Sequence, residues 1–194
     1  MSNRLPRATA LSVAALAVGA AVTRGRGEEL DAEAFRLANA ERGRLADALF
    51  GGVPELGSIW ASAGAAAVLA GAGRRRAAAR GLLAASITWA AGQGLKRVFR
   101  RERPYLADVE GTRLLIARPR GTSWPSSHPA VLLAFVTAAT SDLRPSRSVR
   151  SALGALAGVV AASRIYLGVH YPGDAAGGLL LGRAIGHFVS DGRR

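Results

Sequence analysis

The apolar residues of the chain are concentrated in six long stretches that carry few charges. These stretches are dominated by Ala, Gly, Leu and Val and lie at residues 8–23, 57–73, 81–95, 129–143, 152–167 and 172–189. A helix needs about 20 residues to cross a bilayer, so six such helices with short flanks would occupy about 120 positions. The pattern therefore predicts an all-α, polytopic membrane bundle of about six transmembrane helices. A soluble bundle of Ala-rich core helices is the alternative.

The segment between the first two stretches alternates charged and apolar residues with a helical period. Over residues 27–52 this predicts an amphipathic helix that lies along the membrane surface, although Phe35 and Phe50 fall off its apolar side. The residues of that apolar side are Leu30, Ala34, Leu37, Leu45 and Leu49. The first stretch could also be a signal peptide, but we interpret it as an uncleaved span. Without a long repeat or a linker, residues 1–194 are expected to form one membrane-embedded domain.

Charge adds a second pattern, because the formal net charge is +13 although 49% of the residues are apolar. The basic residues cluster between the apolar stretches, which is typical of membrane loops that contact lipids and does not favour a nucleic-acid partner. The chain has no Cys, which excludes disulfides, thiolate metal sites and a cysteine nucleophile. Only one of the 26 basic residues is Lys.

Loop charge also predicts the orientation in the membrane. Arginines follow the second stretch at residues 74–76 and 80 and the fourth stretch at 144, 147 and 150, so both loops are expected in the cytoplasm. The loops after the first, third and fifth stretches would then face outward. Residues 96–120 are also strongly basic, and we attribute that charge to function. The loops after the third and fifth stretches must share one side in either orientation.

Three polar clusters fall on that shared side. The first follows the third stretch and contains Lys96, Arg103 and Pro104. If the helix continues through Glu102, Lys96 and Arg103 are two turns apart and point in nearly the same direction. Pro104 would then end the helix. The arginines between them, Arg97, Arg100 and Arg101, are interpreted as residues of the membrane interface.

The second cluster is Pro125-Ser126-Ser127-His128, immediately before the fourth stretch. Hydroxyls and backbone N–H groups at a helix N-terminus suit an anion, and a His there can supply a proton. A turn with capping serines is the simpler structural alternative.

The third cluster joins the fifth and sixth stretches and contains Ser163, Arg164, His170, Pro172 and Asp174. Pro172 is suited to the first turn of a helix, and Asp174 then lies four residues after His170, within reach of its ring. A carboxylate on one imidazole nitrogen fixes the tautomer and leaves the other nitrogen as a nucleophile. Ionisable groups at membrane depth are candidates for function.

Together these clusters resemble the type 2 phosphatidic acid phosphatase and vanadium haloperoxidase superfamily. Its signature reads Lys, six residues, Arg-Pro; then Pro-Ser-Gly-His; then Ser-Arg, five residues, His, three residues, Asp. The first and third parts are complete between Lys96 and Asp174, and the second departs from the pattern by Ser127 in place of Gly. Ser127 keeps the backbone N–H but adds a Cβ, so the local geometry could differ.

The resemblance implies a metal-independent phosphatase without a cofactor that acts on a lipid-linked phosphate or diphosphate at the outer leaflet. It assigns phosphate binding to five residues and catalysis to three. The phosphate-binding residues are Lys96, Arg103, Ser126, Ser127 and Arg164. In the implied mechanism His170 is the nucleophile that forms a phosphohistidine, Asp174 orients it, and His128 is the acid and base. His187, the remaining histidine, is interpreted as structural.

Other phosphatase chemistries lack their residues in this chain. It has no Asp-x-Asp pair, no phosphate-binding loop that ends in Gly-Lys-Ser or Gly-Lys-Thr, and only three scattered histidines for a two-metal site. Two alternatives of other kinds are a vanadium-dependent haloperoxidase and a non-catalytic membrane protein that binds anionic lipid. The compatible substrates are phosphatidic acid, phosphatidylglycerol phosphate, polyprenyl diphosphates and a polyprenyl-phosphoryl sugar phosphate.

Overall fold

The computed structural model describes residues 4–191, and over that range it contains helices and loops without a strand. Its α-helices are α1 Arg4–Val22, α2 Gly25–Ala38, α3 Arg44–Gly52, α4 Ile59–Gly71, α5 Arg75–Phe99, α6 Pro104–Ala107, α7 Ser127–Leu143, α8 Arg147–Tyr166 and α9 Pro172–Asp191, with a 3-10 turn at Val53–Gly57. The predicted all-α class is confirmed, and each apolar stretch forms one helix or the main part of one. Residues 1–3 and 192–194 of the expected domain lie outside the described residues.

Small residues bring α7 and α9 into close contact at the centre of the bundle. Glycines 178, 182 and 186 of α9 repeat every four residues and face α7. A Cβ on Gly182 would lie 2.1 Å from the carbonyl oxygen of Ala130, and one on Gly178 would lie 2.3 Å from that of Ser126. Backbones approach this closely only where side chains are absent, as in many membrane helix pairs. The contact fixes the start of α7 beside the start of α9.

The bundle has small residues inside and large apolar residues outside. Alanines dominate its buried positions, whereas Trp60, Val68 and Leu83 are exposed on its outer surface. This distribution is the reverse of a soluble core and suits contact with lipid. By length and hydropathy, one described helix is apolar enough to span a membrane, over Leu5–Val22. A second candidate is the pair Arg44–Gly57 and Ile59–Gly71, which is bent by 64°.

The second predicted span is shorter than expected. It forms α4, whose 13 residues extend about 20 Å, less than the hydrocarbon thickness of about 30 Å. Ser58 caps its N-terminus by accepting a hydrogen bond from the N–H of Ala61 at 3.0 Å. The cap and the preceding 3-10 turn therefore set where α4 begins, and the helix is too short to cross the hydrocarbon layer.

The predicted amphipathic helix over residues 27–52 is two helices. The break at residues 39–43 ends with Gly43, whose φ of 87° interrupts the helical backbone. The predicted leucines face outward, and Leu37 and Leu45 are both 74% exposed. The protein-facing side of α2 is formed instead by Asp31 and Phe35. The predicted apolar side therefore faces away from the bundle, and its position along the membrane surface stays a prediction.

Candidate active site

A cavity of about 290 Å³ lies at the end of the bundle where α5, α8 and the start of α7 meet. Six of the eight predicted site residues line it, and they come from all three sequence clusters. These residues are Lys96, Arg103, Ser127, His128, Arg164 and His170. The loops after α5 and α8 therefore share one end of the molecule, as the order of the spans required.

Lys96 and Arg103 converge in this cavity, but not by the predicted route. Helix α5 ends at Phe99, because Arg100 adopts a left-handed conformation with φ 49°. Pro104 disfavours a helical backbone at Arg103, which is extended with φ −84° and ψ 152°. The expectation of a helix through Glu102 is therefore wrong, and a turn delivers Arg103 to the cavity.

Backbone carbonyls hold the two cationic side chains in place. Lys96 Nζ donates to the carbonyl of Thr122 at 2.8 Å and to that of Ser123 at 3.2 Å. Arg103 Nε donates to the carbonyl of Gly121 at 2.8 Å, and its Nη1 donates to that of Val169 at 2.9 Å. These bonds fix both positive charges without neutralising them, so the charges remain available to an anion.

His170 lies between this cationic group and a carboxylate. Its Nε2 is 3.4 Å from Arg103 Nη1, and its Nδ1 is 3.4 Å from Asp174 Oδ2. A guanidinium has only donors, so the arrangement suits a neutral ring with its proton on Nδ1 and a lone pair on Nε2. Burial, reinforced by the charges of Arg103 and Lys96, holds the pKa of His170 well below its ordinary value of 6.5. The ring is therefore neutral at pH 7.

Asp174 is fully buried in the first turn of α9, which begins at Pro172 as predicted. Its Oδ2 accepts hydrogen bonds from the Ser123 hydroxyl and, at 2.8 Å, from the N–H of Tyr171. Its Oδ1 accepts from Arg101 Nη1 at 2.8 Å. Three donors therefore hold this carboxylate in a fixed orientation. The sequence did not indicate Ser123, which precedes the second cluster and has no characteristic spacing.

The two serines of the second cluster occupy different positions. Ser127 begins α7 and lines the cavity, where the first N–H groups of a helix have no partner within it. Ser126 is buried beside the cavity without lining it, and its N–H donates to the carbonyl of Asp174 at 3.0 Å. The side-chain oxygens of both serines and Arg164 Nε are buried without a hydrogen-bond partner in the described structure. Ser127 and Arg164 line the cavity, so their unpaired atoms are available to an anion there, whereas Ser126 does not line it.

Arg101 corrects one interpretation of the sequence. It is 4% exposed and lies behind Asp174, not at the membrane interface. Its Nη1 donates to Asp174 and, at 2.7 Å, to Asp31 Oδ2 of α2, and its guanidinium lies 4.0 Å from the centre of the Tyr171 ring. The sequence does not indicate which arginine of this cluster is buried, because the arginines are chemically alike. They differ only in the direction in which the end of α5 and the following turn place their side chains.

The further residues that line the cavity include two with long polar side chains, Gln93 and Arg120. Gln93 precedes Lys96 by one helical turn, so its spacing could have placed it on the same face of α5. Arg120 belongs to the long loop before the second cluster, where no periodicity applies. Among residues 4–191, no group of three or more His, Cys, Asp or Glu side chains could hold a metal ion.

The family model described as PAP2 superfamily matches residues 76–193, which is more than half of the chain. The protein belongs to the PAP2 superfamily. All three clusters lie within the matched residues, whereas α1 to α4 precede them.

Among proteins of known function, this PAP2 protein is similar to the decaprenylphosphoryl-5-phosphoribose phosphatase of Mycolicibacterium smegmatis. The two are 34% identical over 119 residues, which cover 61% of this chain and 62% of the relative. The chain thus matches less than two thirds of that relative's length.

Two crystal structures share the fold of this PAP2 protein. One is a transmembrane PAP2 type phosphatidylglycerolphosphate phosphatase from Bacillus subtilis, with a TM-score of 0.74, 21% identity and 94% of each chain covered. The other is LpxE from Aquifex aeolicus, with a TM-score of 0.72 and 28% identity, covering 81% of this chain and 92% of that one. Because the Bacillus subtilis match covers 94% of this chain, the fold shared with that protein extends into the N-terminal helices that the family model does not match.

Proposed function

We propose that this protein is an integral membrane phosphatase that removes phosphate from a lipid-linked phosphate or diphosphate without a metal ion. The observation that carries the proposal is the position of His170, with Nε2 beside Arg103 in a cavity that also contains Lys96 and Arg164. Three fixed cations can neutralise the oxygens of a phosphoryl group while a neutral imidazole attacks its phosphorus. The similarity to the mycobacterial phosphatase supports the same class of reaction.

In the first proposed step, the Nε2 lone pair of His170 forms a bond to phosphorus as the bond between phosphorus and the leaving oxygen breaks. His128, which lines the same cavity, donates a proton to that oxygen, so the lipid leaves as a neutral alcohol or, from a diphosphate, as a monophosphate. The Nδ1 proton of His170 remains directed at Asp174, whose negative charge stabilises the imidazolium of the phosphohistidine.

In the second proposed step, water attacks the phosphohistidine. His128 accepts a proton from the water, the bond between phosphorus and Nε2 breaks, and inorganic phosphate leaves. His170 is again neutral, and His128 again carries the proton it gave in the first step. The same two imidazoles thus serve both halves of the reaction, and no other proton carrier is needed.

For the substrate we propose a polyprenyl-phosphoryl sugar phosphate. The name of the mycobacterial relative contains such a compound, and the cavity adds polar groups beyond those that hold one phosphate. Gln93 and Arg120 line it and could bind sugar hydroxyls or a second phosphate. Phosphatidic acid, phosphatidylglycerol phosphate and polyprenyl diphosphates are the comparison substrates.

The test is phosphate release by the purified full-length protein from these four lipids, with EDTA present. His170→Ala should abolish turnover, whereas His187→Ala, the same change at a histidine beside a different cavity, should retain it. Acid-labile labelling of the wild-type protein by ³²P-substrate should be lost with His170. Turnover by a folded His170→Ala protein would refute the mechanism, and wild-type turnover that needs a divalent metal would refute its metal independence.

We also propose that the site faces the extracytoplasmic side. Six arginines gather around a cavity at the loops that follow α4 and α7, and such charge favours the cytoplasm. Because the chain has no Cys, single cysteines can report the side of each end. Glu110→Cys should react with a membrane-impermeant thiol reagent in intact cells, and Ser148→Cys should react only after lysis. The reverse pattern would overturn the orientation.

A further inference from the structure

Arg101 and Asp31 form a buried charge pair immediately behind the catalytic carboxylate. One nitrogen of Arg101, Nη1, donates to Asp31 Oδ2 at 2.7 Å and to Asp174 Oδ1 at 2.8 Å. Asp31, Arg101, Asp174 and His170 thus form a row in this order, with alternating acidic and basic side chains before the imidazole. Arg101 and Asp174 are both almost completely buried. A buried charge destabilises the fold unless it has a partner of opposite charge, so removing one member of the row should affect its neighbours.

Asp31 also holds the backbone that carries His170 and Asp174. Its Oδ1 accepts a hydrogen bond from the N–H of Gly173 at 2.8 Å. A Cβ on Gly173 would lie 2.7 Å from Asp31 Oδ2, so a larger residue there would disturb the contact. One carboxylate therefore contacts both Arg101 and the first turn of α9. Phe35, one turn further along α2, packs edge-on against Tyr171 with ring centres 5.4 Å apart.

Asp31 and Asp174 share one nitrogen of Arg101, so the charge on Asp31 should affect how strongly Arg101 interacts with Asp174. While Arg101 is shared between two carboxylates, it neutralises only part of the charge on each. Without Asp31, the whole guanidinium charge would act on Asp174, which would then stabilise an imidazolium at His170 less well. Without Arg101, two carboxylates would face one another unpaired. Both changes should alter the orientation and charge of the nucleophile without touching the groups that line the cavity.

We propose that Arg101 and Asp31 are positioning residues for the reaction, which act on His170 through Asp174. The inference rests on the proposed phosphatase function. It assigns a role in the chemical step to α2, a helix that precedes the residues matched by the family model. Neither residue is among those that line the phosphate cavity, so their effect should fall on turnover and not on phosphate binding.

The test uses Arg101→Met and Asp31→Asn in the full-length protein, each with a matched control. Arg97→Met makes the same change at an exposed arginine of the same cluster, and Glu33→Gln removes an exposed carboxylate from α2. We expect kcat to fall about 10- to 100-fold in Arg101→Met and about 10-fold in Asp31→Asn. KM and the inhibition constant of inorganic phosphate should stay within about twofold of wild type, and both controls should retain full kcat.

The outcomes separate this role from a structural one and from the proposed function. Wild-type kcat in both variants, or a weaker phosphate affinity with unchanged kcat, would overturn the positioning role and leave the phosphatase proposal intact. An inactive wild-type protein would instead refute the proposed function. If Arg101→Met does not fold, Asp31→Asn decides alone, because the amide has nearly the same shape and keeps an acceptor for Gly173.

Discussion

The two sides of the His170 ring present different chemical groups, with cations and hydroxyls in the cavity and the carboxylate of Asp174 on the other side. On the cavity side, Ser127 Oγ and Arg164 Nε are buried without a hydrogen-bond partner in the described structure. On the opposite side, both oxygens of Asp174 accept hydrogen bonds, from Arg101, Ser123 and the backbone. Arg101 Nε and Nη2 and His170 Nδ1 on this side also lack a hydrogen-bond partner in the described structure, but they do not face a cavity lined by other cations. Cations and donors that line a cavity are suited to binding an anion, whereas a carboxylate with both oxygens paired is suited to holding a ring in place. The comparison separates binding from positioning, and variants can test each side.

The largest effect is expected from Asp174→Asn, on the positioning side. An amide can present an N–H to Nδ1 of His170 and so favour the tautomer with its proton on Nε2, which removes the nucleophilic lone pair. We expect kcat to fall about 10³- to 10⁴-fold, with KM within about twofold of wild type. Steady-state phosphate release measures both. Asp108→Asn, the same change at a half-exposed carboxylate, should leave kcat unchanged. A higher KM with unchanged kcat in Asp174→Asn would contradict the assignment of Asp174 to positioning.

Arg164→Met should give the next largest effect, on the binding side. Loss of one of three cations should lower kcat/KM about 10²- to 10³-fold. Unlike Asp174→Asn, it should also weaken inhibition by inorganic phosphate by about tenfold or more, because the free anion loses a partner. Arg147→Met, at the other end of the same helix, is the control. Unchanged phosphate inhibition in a folded Arg164→Met protein would show that Arg164 does not contact the anion.

The smallest effect concerns stability and pH. The pKa of His170 is well below 6.5 in the folded protein, so the unfolded chain takes up a proton there as the pH falls through 6.5 and the folded protein does not. Unfolding is therefore favoured at acid pH. Between about pH 7.5 and about pH 5.5, the wild-type protein should lose about 2 to 4 °C more in Tm than His170→Gln. Equal losses in detergent-solubilised samples would mean that His170 does not contribute.

Much of the fold and the site could be predicted from local pattern. Apolar stretches of helical length located the long helices, and Pro172 marked the start of α9. The four-residue separation of His170 and Asp174 predicted their contact, because a tight turn and one helical turn leave little freedom between them. Wherever an interaction spans fewer than about five residues, the backbone geometry of a helix or turn determines it.

Where a prediction depended on how far a helix continues, the sequence was a weaker guide. The helix expected through Glu102 ends at Phe99, and the one expected over residues 27–52 is interrupted. In both segments charged residues with good helix propensity continue past the observed end. Propensity differences of a few tenths of a kcal/mol per residue are small beside the packing that redirects the chain.

The local pattern was sufficient to name the residues that we propose bind and attack a phosphate, and the long helices near them. Which of several similar charges lie at the site depended on how the chain packs. Arg97, Arg100 and Arg101 are alike as neighbours in sequence, yet only Arg101 is buried against Asp31 and Asp174. The two contacts join residues about 70 positions apart, and no local pattern encodes such a separation. An arginine without a charged partner is stable in water but is destabilised in the protein interior, so of these three only Arg101, which reaches two carboxylates, is buried.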